Sequence, residues 1–390
     1  MGDASRDDKP SSLKYLTGVR LDSLHLPSHH GVLKSVHTKP NVTAIPERYS
    51  TLDAHPQCRF FVRDQGQCGS CWAVTAVDVL TDRLCITQGV KEALSAEPLV
   101  ACAGMAANGQ EVMEPFTKPE CLASAQGDKI WSCACDGLDT TTPPPGCSGN
   151  SMQAAWEYLK TYGTVPGLYM GPFGASVSCK TMCSMTQGFP NVFDANVLSL
   201  QNSKIPSSVP LSAQDDALHE NIRAMQTDLM ANGPIQGAFS VYQSFYDFFD
   251  KNPTGVYKMQ PEGKPLGGHT SKIVGWDVAQ DDRLGVPKGT PYWILQNTWG
   301  PKWGDKGFYK MAMTQASDLE ALTKAKAFVI EYNAMASPLA MGASVKEMLS
   351  ETPPTTPRRV STPYVWFWVG LSLTAVLVIG LVIYLVVTTK

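Results

Sequence analysis

Small and apolar residues recur at helical spacing from Ala73 to Leu80, which predicts a helix packed into a core with Cys71 in its first turn. A second helix is predicted over Asp216–Ala231. After Gly233 the pattern shifts to aromatic and valine-rich segments punctuated by Gly and Pro, the signature of strands and turns. An apolar run follows His269, and Tyr292–Leu295 is a further strand candidate. The order predicts an α+β protein whose helical part precedes its sheet. Far downstream, Tyr364–Val387 is apolar and uncharged over about two dozen residues, enough to span a bilayer as one helix. Aromatic anchors (Tyr364, Trp366, Trp368, Tyr384) and the pair Arg358-Arg359 flank it. The Thr-Pro and Pro-Pro steps within 337–363 read as a semi-rigid stalk.

Cys71 follows Gln65-Gly66-Gln67-Cys68-Gly69-Ser70 at the start of the first predicted helix. The positive end of a helix dipole favours a thiolate, the reactive form of cysteine. Such a nucleophile needs a base, and His269 sits between Gly267-Gly268 and the strand-like run. The base needs an orienting group, and Asn297, at the end of a predicted strand, can accept one ring proton so that the other nitrogen faces the thiol. The chain of 390 residues is long enough for two lobes, and its net charge of -3 argues against nucleic acid as a partner.

The segments around Cys71, His269 and Asn297 resemble the active-site blocks of the papain family of cysteine peptidases, in particular its cathepsin B branch. Supporting matches are Ile45-Pro46-Glu47-Arg48-Tyr49, Asn232-Gly233-Pro234-Ile235-Gln236-Gly237 and Trp303-Gly304-Asp305-Lys306-Gly307-Phe308-Tyr309. The resemblance implies a two-lobed fold, with a helical left lobe at about 45–210 and a barrel-like right lobe at about 211–336. It implies Cys71 as nucleophile, His269 as base and acid, Asn297 as orienter, and Gln65 as oxyanion donor. Trp299 would cover the Asn297 to His269 bond, and Gly149, Asn150 and Gly268 would receive substrate backbone. The partners are peptide or protein substrates; no cofactor and no metal are implied.

Eleven cysteines leave ten besides the nucleophile. The resemblance pairs Cys58 with Cys85, Cys68 with Cys147, and Cys102 with Cys179. The remaining Cys121, Cys133, Cys135 and Cys183 allow three connectivities, and a zinc site at Cys133 and Cys135 is the alternative. Disulfides imply an oxidising compartment or assembly pathway.

Departures from the cathepsin B pattern bear on specificity. The stretch 163–179 is short and lacks a histidine pair, so the loop that confers dipeptide release is expected to be absent, which favours endopeptidase action. Asn150 stands where relatives carry a second glycine, and no acidic counterpart for the pocket of the substrate's second residue is recognisable after Met311, Glu320 being the nearest candidate. Residues 1–44 sit where relatives carry an inhibitory propeptide. The first forty residues lack the apolar core of a secretory signal. A single-pass protein with a C-terminal anchor is therefore expected, in a host endomembrane, an endolysosomal membrane or the membrane of a large DNA virus particle. The competing reading is a catalytically silent protein of the same fold that holds a peptide.

Overall fold

The computed structural model describes residues 17–19, 44–58, 62–105, 111–113, 145–164, 167, 198–202 and 211–336. Its helices, in chain order, are α1 (Thr51–Ala54), α2 (Cys71–Gln88), α3 (Glu97–Cys102), α4 (Met152–Tyr162), α5 (Leu211–Asn232), α6 (Gln243–Lys251) and α7 (Leu319–Lys324). Its strands are β1 (Tyr49–Ser50), β2 (Ala103–Met105), β3 (Glu111–Met113), β4 (Leu198–Asn202), β5 (Ile235–Val241), β6 (Val256–Tyr257), β7 (Gly267–Val278), β8 (Pro291–Gln296), β9 (Phe308–Ala312) and β10 (Asn333–Ala336).

α2 is the central helix, and every residue from Cys71 to Cys85 is buried. A helix enclosed on all sides needs no amphipathic stripe, which is why small residues recur along it. It ends at Gly89, whose left-handed conformation (φ 71°) lets its N–H donate to the Cys85 carbonyl at 2.8 Å. The predicted second helix is α5, longer than the sequence pattern suggests. Its last turn is capped by the Gly233 N–H on the Leu229 carbonyl, and the buried Arg83 of α2 reaches across to Asp228 and to the carbonyls of Gly233 and Pro234.

Eight strands form one sheet in the order β4-β10-β5-β7-β8-β9-β6, with β1 pairing β7 off this path. The β6–β9 pair is parallel and the other pairs are antiparallel. β1 and β4 come from chain before residue 211 and complete the sheet. β7 is buried from Gly268 to Trp276, because both of its faces are covered. The twofold alternation of a strand sends Thr270 and Lys272 towards α2, where they meet Thr75 and Asp82, and His269 and Ser271 to the opposite face. On that face Ser271 accepts the Tyr309 hydroxyl at 2.8 Å. Gln236 of β5 closes the joint between the layers. Its amide donates to the Trp72 carbonyl at 2.9 Å, and its oxygen accepts the Trp156 indole N–H at 2.8 Å.

Lys272 and Asp82 form an ion pair at 2.7 Å with both side chains under 5% exposed. Removing one partner from such a pair leaves an uncompensated buried charge and costs about 3–5 kcal/mol, whereas replacing both with apolar groups is often neutral. Lys272→Met is therefore expected to lower unfolding free energy by about that amount, and Asp82→Leu/Lys272→Met to recover most of it, in urea titrations. Burial pushes the Asp82 carboxyl from 3.8 up to about 6, against the pull of Lys272. Because the folded value lies above the unfolded one, this group's contribution is complete below about pH 3.8 and is lost as pH rises through about 6. The double variant is expected to lack that decline.

Candidate active site

The chain approaches Cys71 through a loop held at several points. The Gln65 N–H donates to the Thr298 carbonyl at 2.8 Å and the Gly300 N–H to the Arg63 carbonyl at 2.9 Å, a short ladder that fastens 63–65 to 298–300. The Gln65 side chain bridges the same two segments: its oxygen accepts the Thr298 hydroxyl and its nitrogen donates to the Cys68 carbonyl at 2.7 Å. Cys68 is disulfide-bonded to Cys147, and the Gly69 N–H donates to the Cys147 carbonyl at 3.0 Å. The Trp72 indole N–H reaches Gly146 at 2.9 Å. Cys71 is thus the first residue of α2, on a helix start bolted to the 145–148 turn, and it is the free cysteine among the described residues.

His269 lies opposite Phe239 in the β5–β7 register, with the Phe239 ring edge-on at 5.9 Å. Its Nε2 donates to the Asn297 Oδ1 at 2.7 Å, which leaves Nδ1 as the unprotonated atom of the neutral ring. Nδ1 is buried without a hydrogen-bond partner among the described residues. Asn297 is held in turn: its Oδ1 also accepts the Thr298 N–H at 2.8 Å, and its own N–H donates to the Gly307 carbonyl at 2.8 Å. The Trp299 ring lies 4.5 Å from the imidazole at 30°. Tyr246 stacks on Trp299 at 5.7 Å, and Trp303 meets it edge-on at 5.0 Å. This aromatic wall keeps water from the His269–Asn297 bond, and a hydrogen bond in a dry site is stronger than in water.

Three residues of the N-terminal extension lie over the nucleophile. The Val19 N–H donates to the Gly268 carbonyl at 2.8 Å, the Gly268 N–H returns a bond to Val19 at 3.1 Å, and the Asn150 N–H donates to the Gly18 carbonyl at 3.0 Å. Val19 pairs antiparallel with Gly268 and parallel with Asn150. Gly18 is pressed so closely on the loop that a Cβ there would fall 2.0 Å from the Gly69 carbonyl oxygen. With this segment in place Cys71 and His269 are 0% exposed. Burial pushes the thiol up, against the N–H groups of Thr270, Gly18 and Trp72 and the Thr270 hydroxyl. Burial pushes the imidazole down to about 4, against its bond to Asn297. Both shifts favour the neutral thiol and neutral imidazole over the ion pair.

A cysteine at a helix start, a histidine on a neighbouring strand and an asparagine fixing the far ring nitrogen make a thiol-nucleophile hydrolase site. The chain belongs to the papain family of cysteine proteases, whose model matches residues 50–328, and it is a cysteine-type peptidase. It is 30% identical over 288 residues to cathepsin B-like cysteine proteinase 5 of Caenorhabditis elegans, covering 69% of this chain and 70% of the relative. It is 28% identical over 302 residues to the gut-specific cysteine proteinase of the same organism, covering 75% and 76%. Among solved structures, procathepsin B S9 from Trypanosoma congolense superposes with a TM-score of 0.52 at 22% identity, covering 83% of this chain and 86% of that one. The fold is accordingly papain-like, α+β.

The structure brings His269, Asn297 and Trp299 together, ties Gln65 to Thr298 next to them and the Cys71 carbonyl to Thr270 next to His269, and sets Asn150 and Gly268 on either side of the bound segment. Gly149 takes the left-handed turn (φ 91°) that presents Asn150. The pairs Cys58–Cys85 and Cys68–Cys147 are formed, and Cys102 is disulfide-bonded. Cys179, Cys121, Cys133, Cys135 and Cys183 lie outside the described residues, as do the stretch 168–179, the stalk and the apolar segment 364–387. Among the described residues no helix is long and apolar enough to cross a membrane. Glu320 is exposed on α7. The buried Glu331 is taken up by the Trp293 indole and by the Thr314 N–H and hydroxyl. Sequence reasoning missed Thr75, Thr270 and Tyr246. Thr270 directly follows His269, and strand alternation alone would have turned it towards α2.

Proposed function

We propose that this chain is an endopeptidase acting on peptides or unfolded proteins, held at a membrane by 364–387 and restrained by its own N-terminal extension. The observation that carries the catalytic part is the His269–Asn297 bond at 2.7 Å, which leaves Nδ1 without a partner among the described residues and available for the thiol proton. In this reading Nδ1 takes the Cys71 proton, and the sulfur attacks the scissile carbonyl. The oxyanion is met by the Gln65 amide and the Cys71 N–H, and the imidazolium returns its proton to the leaving amine before water cleaves the acyl-enzyme.

Support for restraint comes from the Thr17-Gly18-Val19 segment, whose backbone bonds to Asn150 and Gly268 use the edges that an extended substrate would need. Support for the membrane is the uncharged length of 364–387 alone. Support for internal cleavage is the short stretch 163–179 without a histidine pair. The test is mass spectrometry of the products from a long peptide blocked at its C-terminus. Internal fragments are expected, and stepwise dipeptides from an unblocked C-terminus with no internal cuts would refute the endopeptidase reading. Flotation of the full chain, but not of residues 1–349, with lipid vesicles would separate the anchor from the chemistry.

A further inference from the structure

Gln65 sits in a strap whose residues Asp64, Gly66 and Gln67 are exposed, so apolar packing does little to fix it and its place depends on what holds its two ends. The downstream end is the Cys68–Cys147 disulfide. At the upstream end the Arg63 guanidinium donates through Nε to the Asp78 Oδ1 at 2.6 Å and through Nη2 to the Leu94 carbonyl, and the two charged side chains are only 11% and 8% exposed. Asp78 follows Cys71 by nearly two helical turns, which places it on the same face of α2 as the nucleophile. Leu94 is fastened to α2 as well, because its N–H donates to the Thr81 hydroxyl at 3.2 Å. The Arg63 backbone carbonyl serves a different partner: it accepts the Gly300 N–H at 2.9 Å, next to the bridge between Asp64 and Trp299.

We propose that Arg63 is a positioning residue that holds the Gln65 amide in place for the oxyanion, by tying the strap to the helix that carries Cys71 and to the segment that follows Asn297. This rests on the peptidase reading and on the part it gives Gln65. A guanidinium suits the task because its fixed fork spans two acceptors at once, here a carboxylate and a carbonyl, through charge-assisted bonds. The pair is largely buried, so salt and water screen it little. Oxyanion donors act through their placement, and a displacement near 1 Å can cost on the order of a hundredfold in rate. A loosened strap therefore lowers kcat while the backbone groups of Asn150 and Gly268 that receive peptide stay where they are. Arg63 acts only through Gln65 and takes no part in the bond changes.

The test uses the full chain carrying Arg63→Met, Gln65→Ala or both, each checked by thermal melting. Arg63→Met is expected to lower kcat about tenfold with KM changed by less than about twofold, and Gln65→Ala to lower kcat about a hundredfold. In the double variant the Arg63 change is expected to add nothing, because the group it positions is gone. A general loosening of the fold would instead multiply the two losses. If Arg63→Met does not fold, Arg63→Met/Asp78→Leu, which leaves no unpaired charge, makes the same comparison. Parental kcat in the folded variant, a loss confined to KM, or a further tenfold loss on top of Gln65→Ala would overturn the proposal. Amide hydrogen exchange reads the strap whether or not peptide is hydrolysed. The Gln65 and Gly300 N–H groups are expected to exchange on the order of tenfold faster in Arg63→Met, with those of α5 unchanged. Parental exchange at both would also overturn the proposal, whereas an inactive parent chain that shows the expected exchange shift would count against the peptidase reading alone.

Discussion

Cys71→Ala is expected to remove peptide hydrolysis almost completely, by on the order of a millionfold in kcat/KM, the scale seen when a nucleophile is deleted from a preassembled triad. The reason is local. Cys71 contributes the one free thiol among the described residues, and nothing else in the site is placed to form the acyl-enzyme. His269 and Asn297 keep their bond in the variant, since Cys71 takes no part in it. Substrate contacts at Asn150 and Gly268 are also intact, so KM is expected to change far less than kcat. Because nucleophile and base act as a unit, His269→Ala should cost nearly as much, and the double variant little more than either. Hydrolysis of dipeptidyl fluorogenic substrates from mildly acidic to mildly alkaline pH checks this. A Cys71→Ala protein with more than about a thousandth of the parental rate would contradict it.

Displacing Thr17–Val19 is expected to act in the opposite direction, raising activity on the order of a hundredfold. A tethered segment has an effective concentration near millimolar, so even an intrinsic affinity of about 10 μM keeps the cleft about 99% occupied. Gly18→Val tests this without shortening the chain, because no side chain fits where a Cβ would lie 2.0 Å from the Gly69 oxygen. Deletion of residues 1–44 should give the same gain. Opening the cleft returns water to Cys71 and His269, which lowers the thiol's pKa and raises the imidazole's from about 4. The ion pair then becomes accessible, and alkylation of Cys71 by iodoacetamide at neutral pH should accelerate along with hydrolysis. Equal rates in the parent, Gly18→Val and the deletion would mean that the segment does not restrain the enzyme.

The settings of Cys71, His269 and Asn297 were legible in the amino-acid sequence because each residue type stands in a recognisable local context, whereas the part given to Gln65 came from resemblance. A thiol at a helix start, an imidazole ahead of an apolar strand and an amide at a strand end can be read without coordinates. The start of α2 and the existence of α5 were legible for the same reason, since hydrophobic period and the glycines after each helix are local signals. The pairings Cys58–Cys85 and Cys68–Cys147 came from resemblance, as spacing alone leaves many connectivities open.

Long-range contacts decided the rest. Thr270 reads as an ordinary strand residue until β7 is laid on α2, 195 positions earlier in the chain at Thr75. Lys272 and Asp82 look like two surface charges until the same packing buries them together. Thr17-Gly18-Val19 carries no local signal, because its bonds to Asn150 and Gly268 are made by backbone groups that every residue possesses. Chemical identity is written residue by residue, whereas burial, ion pairing and occupation of a cleft depend on which distant surfaces the folded chain presses together.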